Sequence, residues 1–296
     1  TSCLLLLLFV KHEMDYDKQH KDGNRIFRIT TEIRTGGDNQ HLAMSPKRLN
    51  SILKKDFAEI EEAAYVCELT DRYHITSGDK HFYQEGIREA SPEIFSMFTY
   101  PMISGNPSLA LKNPQSIVLT ESLCKKIFGT TDVLNEIIHL NNEKHRVTAV
   151  MQDIPRNSDL QFSALISNPY DGQEELLDID GFNYVRTKSG SLESIQKILA
   201  DVEQKFYKPL YTGNYEGLEL KFYAQPLRSI HFSDELIADS PKGNKKMLIL
   251  LSIIAFLILG IACINYINLS LARSSEQFHS IGISKIIGAK KKEVLY

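Results

Sequence analysis

Motifs of known catalytic chemistry are absent from this sequence of 296 residues. There is no G-x-S-x-G turn to expose a nucleophilic serine. His12-Glu13 with His20 lacks the H-E-x-x-H spacing that brings two ligands onto one helical face, so no metal is expected there. Asp171-Gly172 and the run from Asp178 to Gly181 lack the ligand order and closing glutamate of a calcium loop, and read as solvated loop. The nearest approach to a phosphate-binding loop, Gly282 to Lys290 (GISKIIGAK), has no Gly-Lys-Ser/Thr and no strand before it. We therefore assign no catalytic, cofactor or metal site, and the chain does not hydrolyse nucleotide by itself. A net charge of -3 argues against nucleic-acid binding. Cysteine is scarce: Cys3 and Cys263 lie in apolar runs, which leaves Cys67 and Cys124. One bridge between those two is open, but two cysteines make no disulfide framework, and two free buried thiols is the preferred reading. Low-complexity stretches, Pro-rich linkers and internal repeats are also missing.

What the chain does have is a long apolar run. Met247 to Ala272 contains 26 residues and no charged side chain. As a helix it is roughly 39 Å long, more than the about 30 Å of a bilayer's hydrocarbon core, so it reads as a transmembrane helix in contact with lipid. A second apolar run, Cys3 to Val10, ends at Lys11-His12-Glu13. It lacks the basic start and small-residue cleavage site of a signal peptide. We read residues 1–10 as the C-terminal part of a first transmembrane helix that starts outside the sequence, and the chain as a fragment cut at both ends. Between the runs the composition is that of a folded domain: overall 43% hydrophobic, 24% charged, mean hydropathy -0.21. After the long run, Arg273, Lys285 and Lys290 to Lys292 outweigh Glu276 and Glu293; Lys242, Lys245 and Lys246 on the opposite flank make this charge bias modest, and Lys11 to His20 is mixed and rich in acids. Short basic tails stay in the cytoplasm, so the large domain, 11–246, is placed outside it.

Within that domain Arg25 to Glu32 alternates as a half-buried strand does. Ser45-Pro46 reads as a helix start, with Leu49, Ile52, Leu53 and Phe57 at helical spacing. Ala63 to Leu69 and Lys80 to Glu89 read as strands, and Ser91-Pro92 opens a short helix. Ser116 to Leu119 is a strand, after which Thr120 caps a helix that ends at Gly129. Glu136 to Leu140 and His145 to Gln152 form a hairpin about Asn141-Asn142. Ser191 to Tyr207 is an amphipathic helix, and Leu218 to Ile230 returns as a strand. The class is α+β, a mixed-sheet domain of two subdomains, 24–112 with 218–246 and 113–217, flanked by transmembrane helices.

The run LSLARSSEQFHSIGISKIIGAKKKEVL resembles the segment after the second transmembrane helix in ABC transporter permeases of the MacB/FtsX-like family. Asn268, Ala272, Arg273, Ser274, Ile281, Gly282, Ile283, Lys285, Gly288 and Ala289 occupy matching places. Val10 to Asp17 with Arg25-Ile26-Phe27-Arg28 is similar to the family's V-x-x-E-x-x-Y-D…R-I-Y-R. Asn113 to Leu123 with Phe128-Gly129, Val147 to Val150, Asp153-Ile154-Pro155 and Pro226 to His231 match further landmarks in order. The sequence departs from the pattern at Ser280, Ser284 and Gln277, where the family carries charges.

The resemblance implies a permease half with a MacB-like periplasmic core domain, 11–246, a second transmembrane helix, 247–272, and a cytoplasmic coupling segment, 273–296. It implies residence in the bacterial inner membrane, a separate ABC ATPase subunit that hydrolyses the ATP, a dimer of permeases, and a periplasmic adaptor or substrate protein as further partner. Its function would be export or mechanical transmission of ATPase motion to the periplasmic domain. Arg273, Gly282, Lys285, Gly288 and Ala289 are the ATPase-coupling candidates, and Asn265 and Asn268 are polar residues within the transmembrane run. The alternative is the extracytoplasmic sensor domain of a membrane receptor.

Overall fold

The computed structural model describes residues 2–67, 72–168 and 175–286. It divides into two compact units, one made of Thr1–Met14 with Asn244–Tyr296 and the other of Asp15–Gly243.

The first unit is a helix pair, α1 (Ser2–Met14) and α6 (Lys245–Ile286). Asn244 starts α6 by accepting the Met247 N–H on its side-chain oxygen at 3.0 Å, satisfying one of the donors every helix start leaves free. The two helices pack where Cys3 Sγ donates to the Ala255 carbonyl at 3.3 Å, and Ala255 is fully buried there. Within the 30 residues Lys245–Ser274 an 18-residue stretch reaches a mean hydropathy of 3.1, and the helix is long and apolar enough to cross a membrane. Phe256, Leu257 and Ile261 are among its exposed apolar side chains. α6 runs without a break from Lys245 past Ala272, through Arg273 and Gly282, to Ile286.

The second unit is a mixed sheet. Its main path among the described residues runs β13 (Leu218–Pro226), β1 (Ile26–Thr35), β12 (Gly181–Thr187), β3 (Ile60–Cys67), β6 (Ile87–Ala90), β11 (Ala164–Ser167), β8 (Ser116–Thr120), β10 (Glu143–Met151), β9 (Ile137–Leu140), β4 (Tyr73–Ser77) and β5 (Lys80–Gln84). Two short strands, β2 (Asp38–Leu42) and β7 (Met102–Gly105), add to β1 and β10. The β11–β6 and β10–β8 pairs are parallel and the others antiparallel.

Side-chain alternation sorts the core into layers. Ile26, Ala64, Val66, Val118, Leu165 and Tyr184 share one face with the short helix α3 (Ile94–Met97). On the other face α2 (Leu49–Asp56) and α5 (Leu192–Val202) cover one end of the sheet, where Phe27, Ile29, Ala63 and Val185 meet Leu53, Ile195 and Leu199. The helix α4 (Glu121–Phe128) covers the other end, over Ile75, Ile117, Ile138 and Val150.

Several expectations change in this setting. β1 is buried on both faces from Ile26 to Thr31, because strands flank it and packed segments lie above and below. Ser45 bonds across to β12 through the Gly181 carbonyl at 3.0 Å, and α2 starts only at Leu49, after turns closed on Pro46 and Lys47. The hydroxyl of Thr120 goes to the Ser163 carbonyl at 2.9 Å; the start of α4 is held instead by Asp153, which accepts the Ser122 N–H at 2.9 Å. The expected strand 80–89 is split into β5 and β6 at Gly86, whose φ of +76° suits glycine. The grouping of 113–217 into one subdomain also differs from the sheet. β12 pairs with β1 and β3, and α5 packs on β13, while β4 and β5 lie at the opposite end beside β9. Cys67 and Cys124 are both free and buried, donating to the carbonyls of Asp180 and Thr130.

Gly105 shows how tightly β7 lies on β10. Its φ is +90°, and a Cβ there would stand 2.5 Å from the Thr148 carbonyl oxygen. Gly105→Ala is expected to cost about 1–3 kcal/mol, read as a lower thermal midpoint. An unchanged midpoint would mean that β7 can lift from β10.

Candidate functional site

The segments that join the globular unit to the two helices are Asp15 to Arg25, directly after α1, and Ile230 to Gly243, directly before α6. Both are fixed by buried polar groups to the face of the sheet opposite α2 and α5.

The centre is Arg28. Its place in β1 sets it opposite Tyr184 on one neighbouring strand and Gln225 on the other. Its side chain is 1% exposed. The guanidinium meets Asp239 through two parallel hydrogen bonds of 2.7 and 2.9 Å, the bidentate geometry that a planar fork favours. Two more donors reach Gln225 Oε1, at 3.1 and 2.7 Å. Asp159 lies 3.7 Å away, and Lys242 joins Asp239 at 2.8 Å and Asp159 at 3.5 Å. Ser240 donates its hydroxyl to Asp159. Two cations and two carboxylates thus balance inside the fold, as a buried charge must be paired. Burial works to raise the Asp239 carboxyl, but the Arg28 hydrogen bond and the two cations outweigh it and hold the group below its ordinary range.

The second anchor is Asp17, 1% exposed and at a φ of 54°. Its carboxylate accepts the Ser158 hydroxyl at 2.7 Å and the Asp159 N–H at 3.2 Å, and its own N–H reaches the Asn157 carbonyl at 3.0 Å. Burial, then the neighbouring Asp159 charge, push its pKa up to about 6 against the Ser158 hydrogen bond. His20 is equally buried, edge-on to Phe98 and Tyr100 at 4.9 and 5.6 Å. Its Nδ1 accepts the Thr99 N–H at 3.1 Å, which leaves the neutral ring's proton on Nε2, 3.8 Å from Asp17. Burial, and then the charge of Arg228, push His20 down to about 4. At neutral pH it is therefore an uncharged packing group and makes no ion pair.

The two segments also meet directly. Tyr16 stacks on His231 with ring centroids 3.4 Å apart and planes within 5°. The Gly243 N–H donates to the His231 carbonyl at 2.7 Å, and a Cβ on Gly243 would fall 2.4 Å from the ring's Nε2. Beside Arg28 a cavity of about 410 Å³ opens between Phe182, Tyr184, Leu160 and Pro241, with the guanidinium groups of Arg28 and Arg88 5.8 and 5.9 Å from the Phe182 ring centre. Among the described residues no group of His, Cys, Asp and Glu is arranged to hold a metal.

The coupling candidates fall elsewhere. Asn265 and Asn268 are exposed and one helical turn apart on α6, and Arg273 follows on the same helix. Gly282 and Lys285 belong to its last turns, and Gly288 and Ala289 lie outside the described residues. At the level of sequence Asp17 and Arg28 stand out only as parts of matching runs and Lys242 only as a charge flanking the apolar run, while Asp159 and Asp239 are not singled out. The legible signal was a charged residue, Arg28, at an inward position of an apolar strand; Asp239 and Lys242 sit in a stretch without periodicity.

The chain thus combines a mixed-sheet α+β unit with an apolar helix before it and another after it, the second long and apolar enough to cross a membrane. The model for the MacB-like periplasmic core domain matches residues 1–204, and the chain belongs to that family. The family is a permease component of ABC transporters, not itself an enzyme, with an extracytoplasmic domain and an ATPase partner in the complex. Among solved structures, the fold is similar to a domain described as that of a permease protein from Porphyromonas gingivalis. The TM-score is 0.61 at 19% identity, over 78% of this chain and 98% of that one. The periplasmic region of MacB from Actinobacillus actinomycetemcomitans aligns at 16% identity and a TM-score of 0.42, covering 64% of this chain and 87% of that one. The extracellular domain of the ABC-type transporter YknZ from Gram-positive bacteria gives 10% and 0.44, covering 64% and 98%. No curated protein matches the sequence.

Proposed function

We propose that this chain is a permease subunit that carries the motion of an ABC ATPase across the inner membrane to its own extracytoplasmic domain, for export or for mechanical work there. In this account α1 and α6 lie in the bilayer, and the segment from Arg273 onward meets the ATPase through Arg273, Gly282, Lys285, Gly288 and Ala289. Two permeases act as a dimer, with a periplasmic adaptor or substrate protein outside.

The observation that carries this reading is the fixing of both junctions by the Arg28–Asp239–Lys242–Asp159 and Asp17–Ser158 contacts. A helix joined to a domain by a loose linker dissipates its displacement in the linker. Here the chain on either side of the helices is tied within a few residues to β1 and to the 157–159 loop, so a helix shift is handed to the sheet. The unbroken course of α6 from Lys245 to Ile286 supports the same reading, since a continuous helix passes on a push at one end to the other.

The test is charge reversal at Lys285 in the complex reconstituted with its ATPase. Lys285→Glu is expected to lower permease-stimulated ATP hydrolysis by roughly tenfold, about 1.4 kcal/mol of contact energy, with the thermal midpoint of the extracytoplasmic unit unchanged. Undiminished stimulation removes Lys285 from the coupling contact.

A further inference from the structure

The end of the sheet beneath α4 is open on its other face. Tyr73 and Ile75 of β4, Phe82 of β5 and Leu140 of β9 turn toward the α4 core. Alternation then sends their neighbours to the opposite side. Thr76 pairs with His81 on one flank and His139 on the other, and His74 pairs with Tyr83, so these side chains share that face. The next strand adds Lys144 opposite His139 and Arg146 opposite Ile137. The row is ordered: His74 lies 5.9 Å from His81, nearly parallel, and 5.3 Å from Tyr83, and Thr76 Oγ1 is 3.2 Å from His81 Nδ1. It is also uncovered, with Tyr83 68% exposed, Ile137 39% exposed, and Lys144 and Arg146 in solvent.

Among the described residues the unpaired charge on this face is positive. Glu143 pairs with Leu140 and so alternates to the other side. Glu85 borders the face but is held by Arg72 Nε at 2.6 Å. Among the described residues Lys144 and Arg146 have no ionic partner. A surface that serves solubility alone mixes both signs. An ordered aromatic centre with exposed apolar surface and a cationic rim is instead the anatomy of a protein-binding patch, where Tyr and Arg are enriched.

We propose that this sheet face is a docking surface for an acidic segment of a partner protein. Its carboxylates would pair with Lys144 and Arg146, and its body would lie over His74, Tyr83 and Ile137. A flat patch of this kind offers no concave cradle for a single phosphate. The inference stands apart from the coupling reading, because it uses no residue of the junctions or of α6.

The experiment uses the full chain in detergent and a short fluorescent poly-glutamate peptide, with binding followed by anisotropy. Saturable, salt-sensitive binding is expected, and Lys144→Glu with Arg146→Glu is expected to weaken it by at least roughly tenfold. Tyr83→Ala is expected to weaken it as well. Lys188→Glu, an exposed control on β12's outgoing turn, is expected to leave it unchanged. Thermal unfolding checks that each variant folds. Absence of saturable binding, or equal binding by the double variant, overturns the proposal. So does displacement of the probe by anionic lipid vesicles but not by unlabelled peptide, which would make the face a membrane contact.

Discussion

Arg28→Met is expected to destabilise the globular unit by about 3–5 kcal/mol, the scale for removing one partner from a buried ion pair. The loss exceeds the worth of the bonds themselves. With the guanidinium gone, Asp239 keeps Lys242 but loses its bidentate partner, and Gln225 Oε1 loses two donors. A methionine roughly fills the volume, so the effect is one of stranded polar groups and not of a cavity. Arg28→Met combined with Asp239→Leu is expected to recover much of the loss, because a pair replaced together leaves no uncompensated charge. Hydrogen exchange of the β1 and β12 amides in the full chain reads this without interference from the helices. Equal protection in the single variant and in wild type would mean that the pair contributes little and that the junction is held by other contacts.

Asp17→Asn and His20→Gln are expected to change the pH dependence of stability in opposite directions. In the unfolded chain Asp17 releases its proton near 3.8 and in the folded protein near about 6. Between these values the folded state holds the extra proton, so this group's contribution to stability falls as pH rises and is worth about 3 kcal/mol across the window. His20 does the reverse. Unfolded it takes up a proton near 6.5, folded only near about 4, so it favours the folded state increasingly as pH rises through the same range, again by about 3 kcal/mol. In wild type the two nearly cancel between pH 4 and 6. Relative to wild type, Asp17→Asn should therefore gain stability, and His20→Gln should lose it, as pH is raised from 4 to 7. Denaturant midpoints of the three proteins at pH 4, 5, 6 and 7 measure it. Parallel curves would show that the two buried groups do not titrate as their surroundings dictate.

Much of the fold was legible because its strands and helices obey local rules. The turn at Asn141-Asn142 has both residues at positive φ, 48° and 72°, as a two-residue hairpin requires, and Gly129 ends α4 at a φ of 80°. The amphipathic pattern of Leu192 to Val202 gave α5 because Ile195, Leu199 and Val202 face the core. Local rules failed where tertiary partners compete. The Thr120 hydroxyl finds the Ser163 carbonyl and leaves the cap to Asp153, a residue distant in sequence. The subdomain division was illegible for a related reason. β6 and β11 join the two ends of the sheet through pairings with no local signature, so composition along the chain does not reveal where one end stops.

The junction network was only half visible. Arg28 and Asp17 lie in runs that resemble the family, but Asp159, Asp239 and Lys242 come from loops whose meaning depends on which charge they meet. Their distance in sequence is the difficulty. Arg28 and Asp239 form one buried pair across almost the whole globular unit, and closing that loop is what brings the chain leaving α1 next to the chain entering α6.

The measurement that most directly tests this account inserts a short Gly-Ser linker between Gly243 and Asn244 and follows the reconstituted permease–ATPase complex. A pair of spin labels on the extracytoplasmic domains of the two permeases reports their separation with and without ATP. The account predicts that the wild-type separation changes with ATP, and that the insertion abolishes this change while ATP hydrolysis continues. The same ATP-dependent change in the inserted variant would contradict it, because motion would then be reaching the domain by a route that does not pass through the locked junction.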